Sequence, residues 1–466
     1  MLRIIGFLLG GLVLVAAAAA AWFFFFAGDD REPPLPPEVA CRAAIYRTAD
    51  GALIDIGNLS SDSLRWRAFD GRTGRISEGE DGVWSGTTGW SDRPDPARIT
   101  LGDCGAETIL VAGIDGVSGE ARRLDFEITE TLFEGVGETL AGRLVMPQGE
   151  GPFPLVVTVH GSEGYSARDY YSFQRMLPAE GIAVFVYDKR GSGGSSGEYT
   201  QDFDLLAGDA AAAFAEARRL AGDRISSAGY QGGSQGGWIA PYAASMSDPD
   251  FVIASFGMAE GPLAEDREEA LLSMIDAGYG DDAEAMAGTR ALAEAAGRVF
   301  ATDFAEGKEE LAALKDQYRD EPWFDSYQGE FSHELMVRPI WQVEMVVPFM
   351  NISTSWEYEP RPVLESMDMP SLWVFAAEDR EAPPDTSIAI ISELQADGAL
   401  IDFAVFPETD HGIIEFETGA DGERTSLRYA DGYFRLVADW VKSNRFEGEY
   451  GRAALSPRLA PDGYGE

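Results

Sequence analysis

The sequence predicts an α/β domain with a mostly parallel sheet covered by helices on both faces, preceded by a small β-rich module. Continuous apolar runs recur along the second part of the chain, as in strands that are buried on both faces. Helical patterns separate these runs, and strand–helix alternation favours a parallel sheet. The apolar runs lie at residues 155–159, 183–187, 225–230, 251–256, 372–375 and 403–406.

Composition excludes several classes of function. The chain has 466 residues and a net charge of −43, which repels nucleic-acid phosphates, so we expect no nucleic-acid partner. It contains only three histidines and two cysteines, and it has neither an H-E-x-x-H nor a C-x-x-C motif. We therefore expect no metal site and no cofactor.

The N-terminal segment, residues 1–28, is predicted to be a membrane anchor or a signal segment. Residues 2–27 are almost wholly apolar, and about 24 of them would span about 36 Å as a helix, enough to cross a bilayer. Cleavage after the alanine run would leave an exposed aromatic stub, which favours an uncleaved anchor over a cleaved signal. Arg3 precedes the segment, so the positive-inside rule predicts an extracytoplasmic location, periplasmic or cell-surface, for the remaining chain. Residues 29–39 are charged and proline-rich and are predicted to be a linker.

Residues 40–119 are predicted to form the β-rich module. Short alternating apolar runs are separated there by Asp-Gly turns, as in antiparallel strands. Cys41 and Cys104 bracket most of the module. In an oxidising compartment they could form a disulfide, and two free buried thiols are the alternative. No residue of the module has a catalytic pattern, so packing on or shading the next domain is its expected role.

A candidate nucleophile follows the run at 225–230. Residues 232–236 read Gly-Gly-Ser-Gln-Gly, which matches G-x-S-x-G between a predicted strand and a predicted helix. This is the context of a nucleophile elbow, where a strained turn lifts the serine hydroxyl above the sheet. Glycines are needed there because a Cβ would collide with the neighbouring strand or helix. Ser234 is therefore the predicted nucleophile.

Two further candidates follow later strands of the same sheet. Asp379 comes after the run at 372–375, and His411 comes after the run at 403–406. Reactive groups of parallel sheets lie at the carboxyl ends of strands, and serine, acid and histidine occur here in that chain order. Glu378 and Glu260 are the alternatives for the acid.

Residues 124–444 resemble the α/β-hydrolase superfamily. The motifs that carry the resemblance are His160-Gly161-Ser162, the segment 187–193 and the elbow at 232–237, which look like the extracytoplasmic esterase and Xaa-Pro-peptidase-like branches. The resemblance implies an α/β-hydrolase domain at 120–445. It also implies a Ser234–His411–Asp379 triad, in which the histidine activates the serine and the aspartate orients the histidine. The backbone N–H groups of Gln235 and Ser162 are the expected oxyanion donors.

Other conspicuous residues have structural interpretations. His160 is expected to shape its loop and His333 to be structural or exposed, and Asp410 is expected to lie on the surface. Asp188 and Arg190 are predicted to brace the glycine-rich loop that follows them. That loop does not match G-x-G-x-x-G, so it is not expected to bind phosphate.

A helical cap is predicted at about residues 260–360, between two strands of the sheet. Helical spacing occurs there at 263–277, 283–304, 309–318 and 339–349, with many aromatic residues and methionines. Most of these side chains should form the core of the cap, and some should line an apolar acyl pocket above Ser234. Residues 446–466 are predicted to be a loose tail.

The sequence thus predicts a serine hydrolase that cleaves a carboxylic ester through an acyl-enzyme. A serine peptidase with the same triad, of aminopeptidase or dipeptidyl-peptidase type, is the main alternative. A thioesterase, an acyltransferase or a non-catalytic binding module is less favoured. The acidic composition and apolar cap favour a neutral or cationic small-molecule ester, or a short peptide, as the substrate.

Overall fold

The computed structural model describes residues 35–350, 354–420 and 422–459. The predicted membrane segment lies outside these residues. Within them, no helix has the length and apolar character needed to cross a bilayer.

The N-terminal module is a closed antiparallel barrel of eight strands in sequential order. The predicted β-rich module is confirmed, and the barrel extends to Arg123 because the last strand pairs back onto the first. Closure leaves no free strand edge, and the interior is apolar, including Ile54, Ile56, Leu64 and Ile76. The strands are β1 Ala44–Thr48, β2 Leu53–Asn58, β3 Ser63–Ala68, β4 Thr73–Glu78, β5 Trp84–Thr88, β6 Arg98–Thr100, β7 Thr108–Ala112 and β8 Gly119–Arg123.

A disulfide joins the segment before β1 to the connection between β6 and β7. Cys41 follows the short helix α1 (Pro37–Ala40), and it is bonded to Cys104 in the connection between β6 and β7. The bond closes a loop over a sequence separation of 63 residues. Of the two alternatives for these cysteines, the structure thus contains the bonded one.

The second domain is a nine-stranded mixed sheet in the order β9-β10-β12-β11-β13-β14-β15-β16-β20. The six strands from β12 to β16 in this order are parallel to one another, whereas β9, β10 and β20 pair antiparallel at the two edges. The strands are β9 Glu127–Glu134, β10 Thr139–Met146, β11 Phe153–Val159, β12 Ala183–Tyr187, β13 Ile225–Gly233, β14 Phe251–Ser255, β15 Ser371–Ala376, β16 Ile401–Phe406 and β20 Ala454–Ser456.

Helices cover both faces of this sheet, as two separate apolar clusters show. One face packs on α4 and α5, and the other packs on α13. Asp202 caps α4 by accepting from Leu205 N at 3.1 Å. The helices outside the cap are α2 Ala167–Tyr170, α3 Phe173–Met176, α4 Phe203–Ala221, α5 Gly236–Ala244, α11 Arg361–Ser366, α12 Pro384–Ala396 and α13 Tyr433–Ser443. The mostly parallel, doubly covered sheet is confirmed.

The insertion between β14 and β15 is a helical cap with an apolar core of its own. Trp323 and Tyr327 lie in that core, whereas Trp341 is 61% exposed and Met345 is 58% exposed, so these two do not contribute to it. The predicted helix 283–304 ends earlier, since Asp303 and Phe304 have left-handed backbone angles. The cap helices are α6 Pro262–Asp276, α7 Ala283–Ala301, α8 Lys308–Tyr318, α9 Ser332–Val337 and α10 Ile340–Met350.

The C-terminal segment is more ordered than the sequence predicts. Residues 446–459 were expected to belong to a loose tail, but β20 adds to the sheet edge by pairing antiparallel with β16. Tyr450 is buried, and Arg458 N donates to Asp402 Oδ1 at 2.7 Å. The expectation of a loose tail is therefore wrong for this part, because the edge of β16 offers backbone partners that composition does not reveal.

A buried charge cluster fastens the barrel to the second domain. Asp55 of β2 accepts from Arg175 of α3 at 2.5 Å and from Arg67 of β3 at 3.0 Å, and its carboxylate is fully buried. A three-stranded sheet (β17 Thr409–Asp410, β18 Ile414–Thr418, β19 Arg424–Tyr429) also contacts the barrel, where Tyr429 N donates to Gly71 O at 3.0 Å. The barrel thus contacts the sheet domain at Arg175 of α3 and at Tyr429 of β19.

Replacing Asp55 tests the importance of this cluster. Asp55→Asn should lower the free energy of unfolding by about 3–5 kcal/mol, because Arg67 and Arg175 lose their buried counter-charge. Urea unfolding followed by tryptophan fluorescence measures the change. Asp50→Asn, in an exposed turn of the barrel, is the matched control and should shift stability by less than about 0.5 kcal/mol. Equal effects of the two substitutions would contradict this account.

Candidate active site

Ser234 lies in the turn between β13 and α5 with a left-handed backbone, φ +54°. Non-glycine residues rarely adopt this conformation, so the strain expected of an elbow is present. A Cβ at Gly236 would come within 2.8 Å of the carbonyl oxygens of Val159 and His160, and a Cβ at Gly232 would overlap Gly236 O. The two glycines thus allow α5 to start against the end of β11.

Asp379 and His411 are in direct contact. His411 Nδ1 lies 3.0 Å from Asp379 Oδ2 and 3.1 Å from Oδ1. The Asp379 carboxylate is buried and also accepts from the backbone N–H groups of Glu381, at 3.1 Å, and Ala382, at 2.8 Å. These bonds fix its orientation, and an aspartate at Nδ1 leaves Nε2 as the proton acceptor.

The other imidazole nitrogen faces a second carboxylate. His411 Nε2 lies 3.4 Å from Glu381 Oε1, and no described hydrogen bond joins His411 to Ser234. The Phe256 ring contacts His411 edge-on at 5.1 Å and also lies against the backbone of Gly233, so the histidine is beside the elbow. Catalytic hydrogen bonds are often formed only when substrate binds.

Electrostatics favour the protonated form of His411. Burial alone would lower the pKa of His411, but Asp379, followed by Glu381 and Asp410, raises this pKa to about 9. The imidazole is thus charged at neutral pH. It must lose its proton before it can accept one from a hydroxyl.

The acidic alternatives do not contact His411. Glu378 is ion-paired with Arg424 at 3.3 Å, and Glu260 lies 3.6 Å from Arg267. Asp410 is not the surface residue expected from the sequence. It is half-buried, accepts from His411 N at 2.9 Å and forms an ion pair with Arg424 of β19 at 2.8 Å.

The loop after β11 runs beside Ser234. A Cβ at Gly161 would lie 3.6 Å from Ser234 Cβ. Ser162 N–H and Gln235 N–H donate to no acceptor within the described part of the chain. Both predicted oxyanion donors are therefore free of competing bonds, and the loop of one of them adjoins the serine.

Lys189 holds this loop in place; it belongs to the motif at 187–193, but its burial and its role could not be predicted from that motif. It is 2% exposed, and its Nζ donates to Gly161 O at 2.5 Å and to Gln235 Oε1 at 3.4 Å. Gly161 C=O and Ser162 N–H belong to one planar peptide group and point in opposite directions. Lys189 thus orients the Ser162 N–H. Burial lowers the pKa of Lys189 to about 8 against the opposing influence of Glu163.

His160 anchors the loop after β11 through hydrogen bonds, as expected. Its Nε2 donates to Tyr187 O at 2.5 Å, and Nδ1 lies 3.5 Å from Glu163 Oε1. Tyr171 OH donates to the same carboxylate. Burial would raise the pKa of Glu163, but His160, Lys189 and Tyr171 lower it to about 2, so Glu163 is charged.

The remaining predicted residues brace neighbouring loops. Asp188 accepts from Ser166, from Arg168 and from Gly194 N, and Arg190 pairs with Asp209 at 2.7 Å. The bracing role of Asp188 is confirmed, whereas Arg190 bonds to Asp209 and to Val136 O, outside the glycine-rich loop. His333 Nδ1 lies 3.0 Å from Tyr327 O in the cap, which agrees with the structural interpretation.

A cleft of about 290 Å³ opens beside Ser234. Its walls come from both domains, since Arg67 of the barrel lies opposite Tyr171, Phe256 and Tyr433 of the sheet domain. Within the described residues, no group of three or more His, Cys, Asp or Glu side chains could hold a metal ion.

Comparison with known proteins identifies the second domain. Residues 151–263 match the family described as Hydrolase_4, serine aminopeptidase S33, and this segment contains both the elbow and the loop after β11. The strand order, with β12 between β10 and β11, is that of the α/β-hydrolase fold. The second domain therefore has the α/β-hydrolase fold, and its residues 151–263 match a family of that fold. The resemblance and the fold class expected from the sequence are thus confirmed.

Curated relatives of this α/β-hydrolase match over a short segment. The chain is 40% identical over 89 residues to esterase FrsA of Enterobacter sp. (strain 638), covering 18% of this chain and 21% of that protein. It is 36% identical over 90 residues to esterase FrsA of Escherichia coli (strain K12 / DH10B), covering 19% and 20%. The chain thus spans about a fifth of the length of these relatives.

Solved structures with likeness to this α/β-hydrolase include an esterase and a peptidase. The Pyrococcus furiosus esterase has 15% identity and a TM-score of 0.39, covering 61% of this chain and 84% of that chain. The Pyrococcus horikoshii acylaminoacyl peptidase has 17% identity and a TM-score of 0.42, covering 91% and 58%.

Because Ser234 has a left-handed backbone, glycine should be more stable than alanine at this position, the reverse of the usual order. Ser234→Gly should be more stable than Ser234→Ala by about 1 kcal/mol, because an L side chain is strained at φ +54°. Urea unfolding measures the difference. The same pair at Ser245, which ends α5 with φ −69°, is the control and should favour alanine. A preference for alanine at both positions would contradict the strained elbow.

Proposed function

We propose that this chain is a serine hydrolase that cleaves a carboxylic ester through an acyl-enzyme, with Ser234, His411 and Asp379 as its triad. The observation that carries the proposal is the strained Ser234 elbow beside an imidazole whose Nδ1 is held by a buried aspartate. A serine in this setting needs only a base at Nε2 to become a nucleophile.

In the proposed reaction, His411 Nε2 takes the proton of Ser234 Oγ as Oγ bonds to the ester carbonyl carbon. The carbonyl electrons move to oxygen, and the N–H groups of Gln235 and Ser162 stabilise the oxyanion. When the tetrahedral intermediate collapses, the bond to the leaving alcohol breaks and His411 gives it the proton. Water then repeats the sequence on the acyl-enzyme, releasing the acid and regenerating Ser234.

Lys189 would act in this reaction as a positioning residue. Its bond to Gly161 O fixes the peptide whose N–H is the second oxyanion donor. Such donors contribute most when they are already oriented before charge develops.

A serine peptidase with the same triad is the second candidate. The description of the matching family as serine aminopeptidase favours it. Ester and amide cleavage differ mainly in the leaving group that His411 must protonate. A panel of p-nitrophenyl esters and aminoacyl-p-nitroanilides separates the two, and strong anilide cleavage with negligible ester turnover would reverse our preference.

We also propose that the folded part acts outside the cytoplasm. The apolar run at residues 2–27 and the disulfide between Cys41 and Cys104 support this location, because disulfides persist in oxidising compartments. Recovery of the protein with reduced cysteines in the cytosolic fraction would contradict it.

A fluorophosphonate probe tests the nucleophile. The wild-type protein should be labelled, and Ser234→Ala should abolish the labelling, read by gel fluorescence or intact mass. Ser162→Ala is the matched control and should keep most of the labelling, because the proposed donor is the main-chain N–H. Ser162→Pro removes that N–H and should slow labelling by about 10²–10³-fold. Folded wild-type protein that remains unlabelled would refute the proposal.

The pH dependence tests the base. Only neutral His411 accepts a proton, and its pKa is raised to about 9, so kcat/KM of the free protein should rise with pH, reach half of its maximum near pH 9 and level off above about pH 10. Glu381→Gln removes a carboxylate that raises this pKa, so the rising limb of the kcat/KM profile should move to lower pH. Glu365→Gln, an exposed carboxylate on α11, is the control and should leave the limb in place. If Glu381→Gln does not shift the rising limb of the kcat/KM profile, His411 is excluded as the titrating base.

A further inference from the structure

The barrel supplies a buried cation to the wall of the cleft beside Ser234. Among the described residues that line this cleft, Arg67 carries the only positive charge and Glu163 the only negative one. Glu163 already has partners, since Tyr171 OH donates to it and His160 Nδ1 lies 3.5 Å from its carboxylate. Arg67 belongs to β3, so the first domain contributes a charged side chain to the site of the second.

The Arg67 guanidinium has more donors than the described residues use. An arginine side chain carries five N–H donors. Nη1 of Arg67 donates to Asp55 Oδ2 at 3.0 Å, and the side chain also interacts with Tyr429, which lines the same cleft. Nε is buried and donates to no residue of the described ranges. Because Arg67 is only 8% exposed, bulk water replaces few of these bonds, and an acceptor bound in the cleft would supply them.

The ion pair with Asp55 does not neutralise this part of the barrel. Asp55 also accepts from Arg175 at 2.5 Å, so one carboxylate faces two guanidinium groups. Arg65, two residues before Arg67 on β3, is buried as well, and its Nη1 donates to a neutral acceptor, Gly89 O, at 2.8 Å. Burial, followed by repulsion from Arg67, lowers the pKa of Arg65 to about 10. The barrel side of the cleft is thus positive in a chain whose net charge is −43.

The rest of the cleft wall is mainly aromatic. Phe256 lies at the Ser234 end, against the backbone of the elbow. Tyr429, Tyr433 and Phe434 continue the wall, with ring centroids 4.9 Å apart for Tyr429 and Phe434 and 5.5 Å apart for Tyr433 and Phe434. Such a wall favours an apolar substrate body, and the guanidinium is the polar anchor at its barrel side.

We propose that Arg67 is a specificity-determining residue that binds a carboxylate at the end of the substrate remote from the scissile ester. The inference rests on the proposed hydrolase function and adds the substrate class, an apolar ester with a terminal carboxylate. A carboxylate matches the planar fork of the guanidinium and offers acceptors to its unused donors. The local charge at Arg67 thus outweighs the overall acidity, from which the sequence predicts a neutral or cationic substrate.

Pairs of esters that differ only in a terminal carboxylate or primary amide test the proposal, because these two groups have nearly the same size. The p-nitrophenyl monoesters of adipic, suberic and sebacic acids, each with its terminal amide, place the group on the acyl part at three lengths. The butyrate esters of 6-hydroxyhexanoic acid and 6-hydroxyhexanamide place it on the alcohol part. In at least one pair, kcat/KM for the acid should exceed that for the amide by about 10- to 100-fold. A ratio of about one or less in every pair would overturn the proposal.

Two arginine variants test the assignment to Arg67. Arg67→Gln should reduce the acid-to-amide ratio about tenfold or more, because it removes the charge from the cleft wall. Arg175→Gln is the matched control, since it removes a bond to the same Asp55 carboxylate from outside the cleft wall, and it should keep the ratio within about threefold. The ratio is independent of the amount of folded protein, because the same folded fraction hydrolyses both esters. An unchanged ratio in Arg67→Gln, or equal losses in the two variants, would refute the assignment.

Arg67→Lys serves if the glutamine variant does not fold, because it keeps a charge opposite Asp55. Lysine lacks the planar fork of the guanidinium, so the acid-to-amide ratio should fall below that of the wild type. A ratio equal to that of the wild type would contradict recognition by the guanidinium.

Calorimetric titration with suberate separates this inference from the proposed function. Suberate should bind the wild-type protein, and Arg67→Gln should weaken this binding about tenfold, whether or not Ser234 reacts. If the proposed function fails, the fluorophosphonate probe does not label Ser234 and no ester is hydrolysed, but suberate still binds. If Arg67 does not recognise carboxylates, Ser234 is labelled and the esters are hydrolysed without preference, and suberate does not bind.

Discussion

Helix α5 begins so close to the end of β11 that no side chain fits between them, and the arrangement of the site depends on this approach. Gly236 lies against Val159 O and His160 O, and Ser234 takes the left-handed turn that makes the contact possible. The turn places Ser234 beside the loop after β11. A larger residue at position 236 would push apart the two strand ends that carry Ser234 and the loop at Gly161.

Around this contact the site is held mainly by buried charges. Lys189 fixes the peptide between Gly161 and Ser162, Asp379 fixes the imidazole of His411, and Glu163 is charged beside His160. Each of these groups is stabilised by a short bond to a defined partner.

Much of this arrangement could be predicted from local sequence. Uninterrupted apolar runs indicated the parallel strands, and G-x-S-x-G between a strand and a helix indicated the elbow at Ser234, because both patterns are local consequences of backbone geometry. The burial of Lys189 and its bond to Gly161 O could not be found in this way. A charged residue is normally exposed, and its burial depends on segments that are distant in the sequence. The expectation that Asp410 lies on the surface is wrong for the same reason, since its partner Arg424 lies on another strand.

The hydrogen bond from Tyr429 to Gly71 joins residues that leave the ribosome at opposite ends of synthesis. The barrel closes through contacts between neighbouring strands and emerges first, so it can be complete before β18 and β19 are made. Those two strands, which directly follow His411, then dock onto a finished surface. The barrel therefore offers a completed surface to a late part of the sheet domain, with only α13 and β20 made after it, and a defect in the barrel should appear as a failure to assemble the loop of His411.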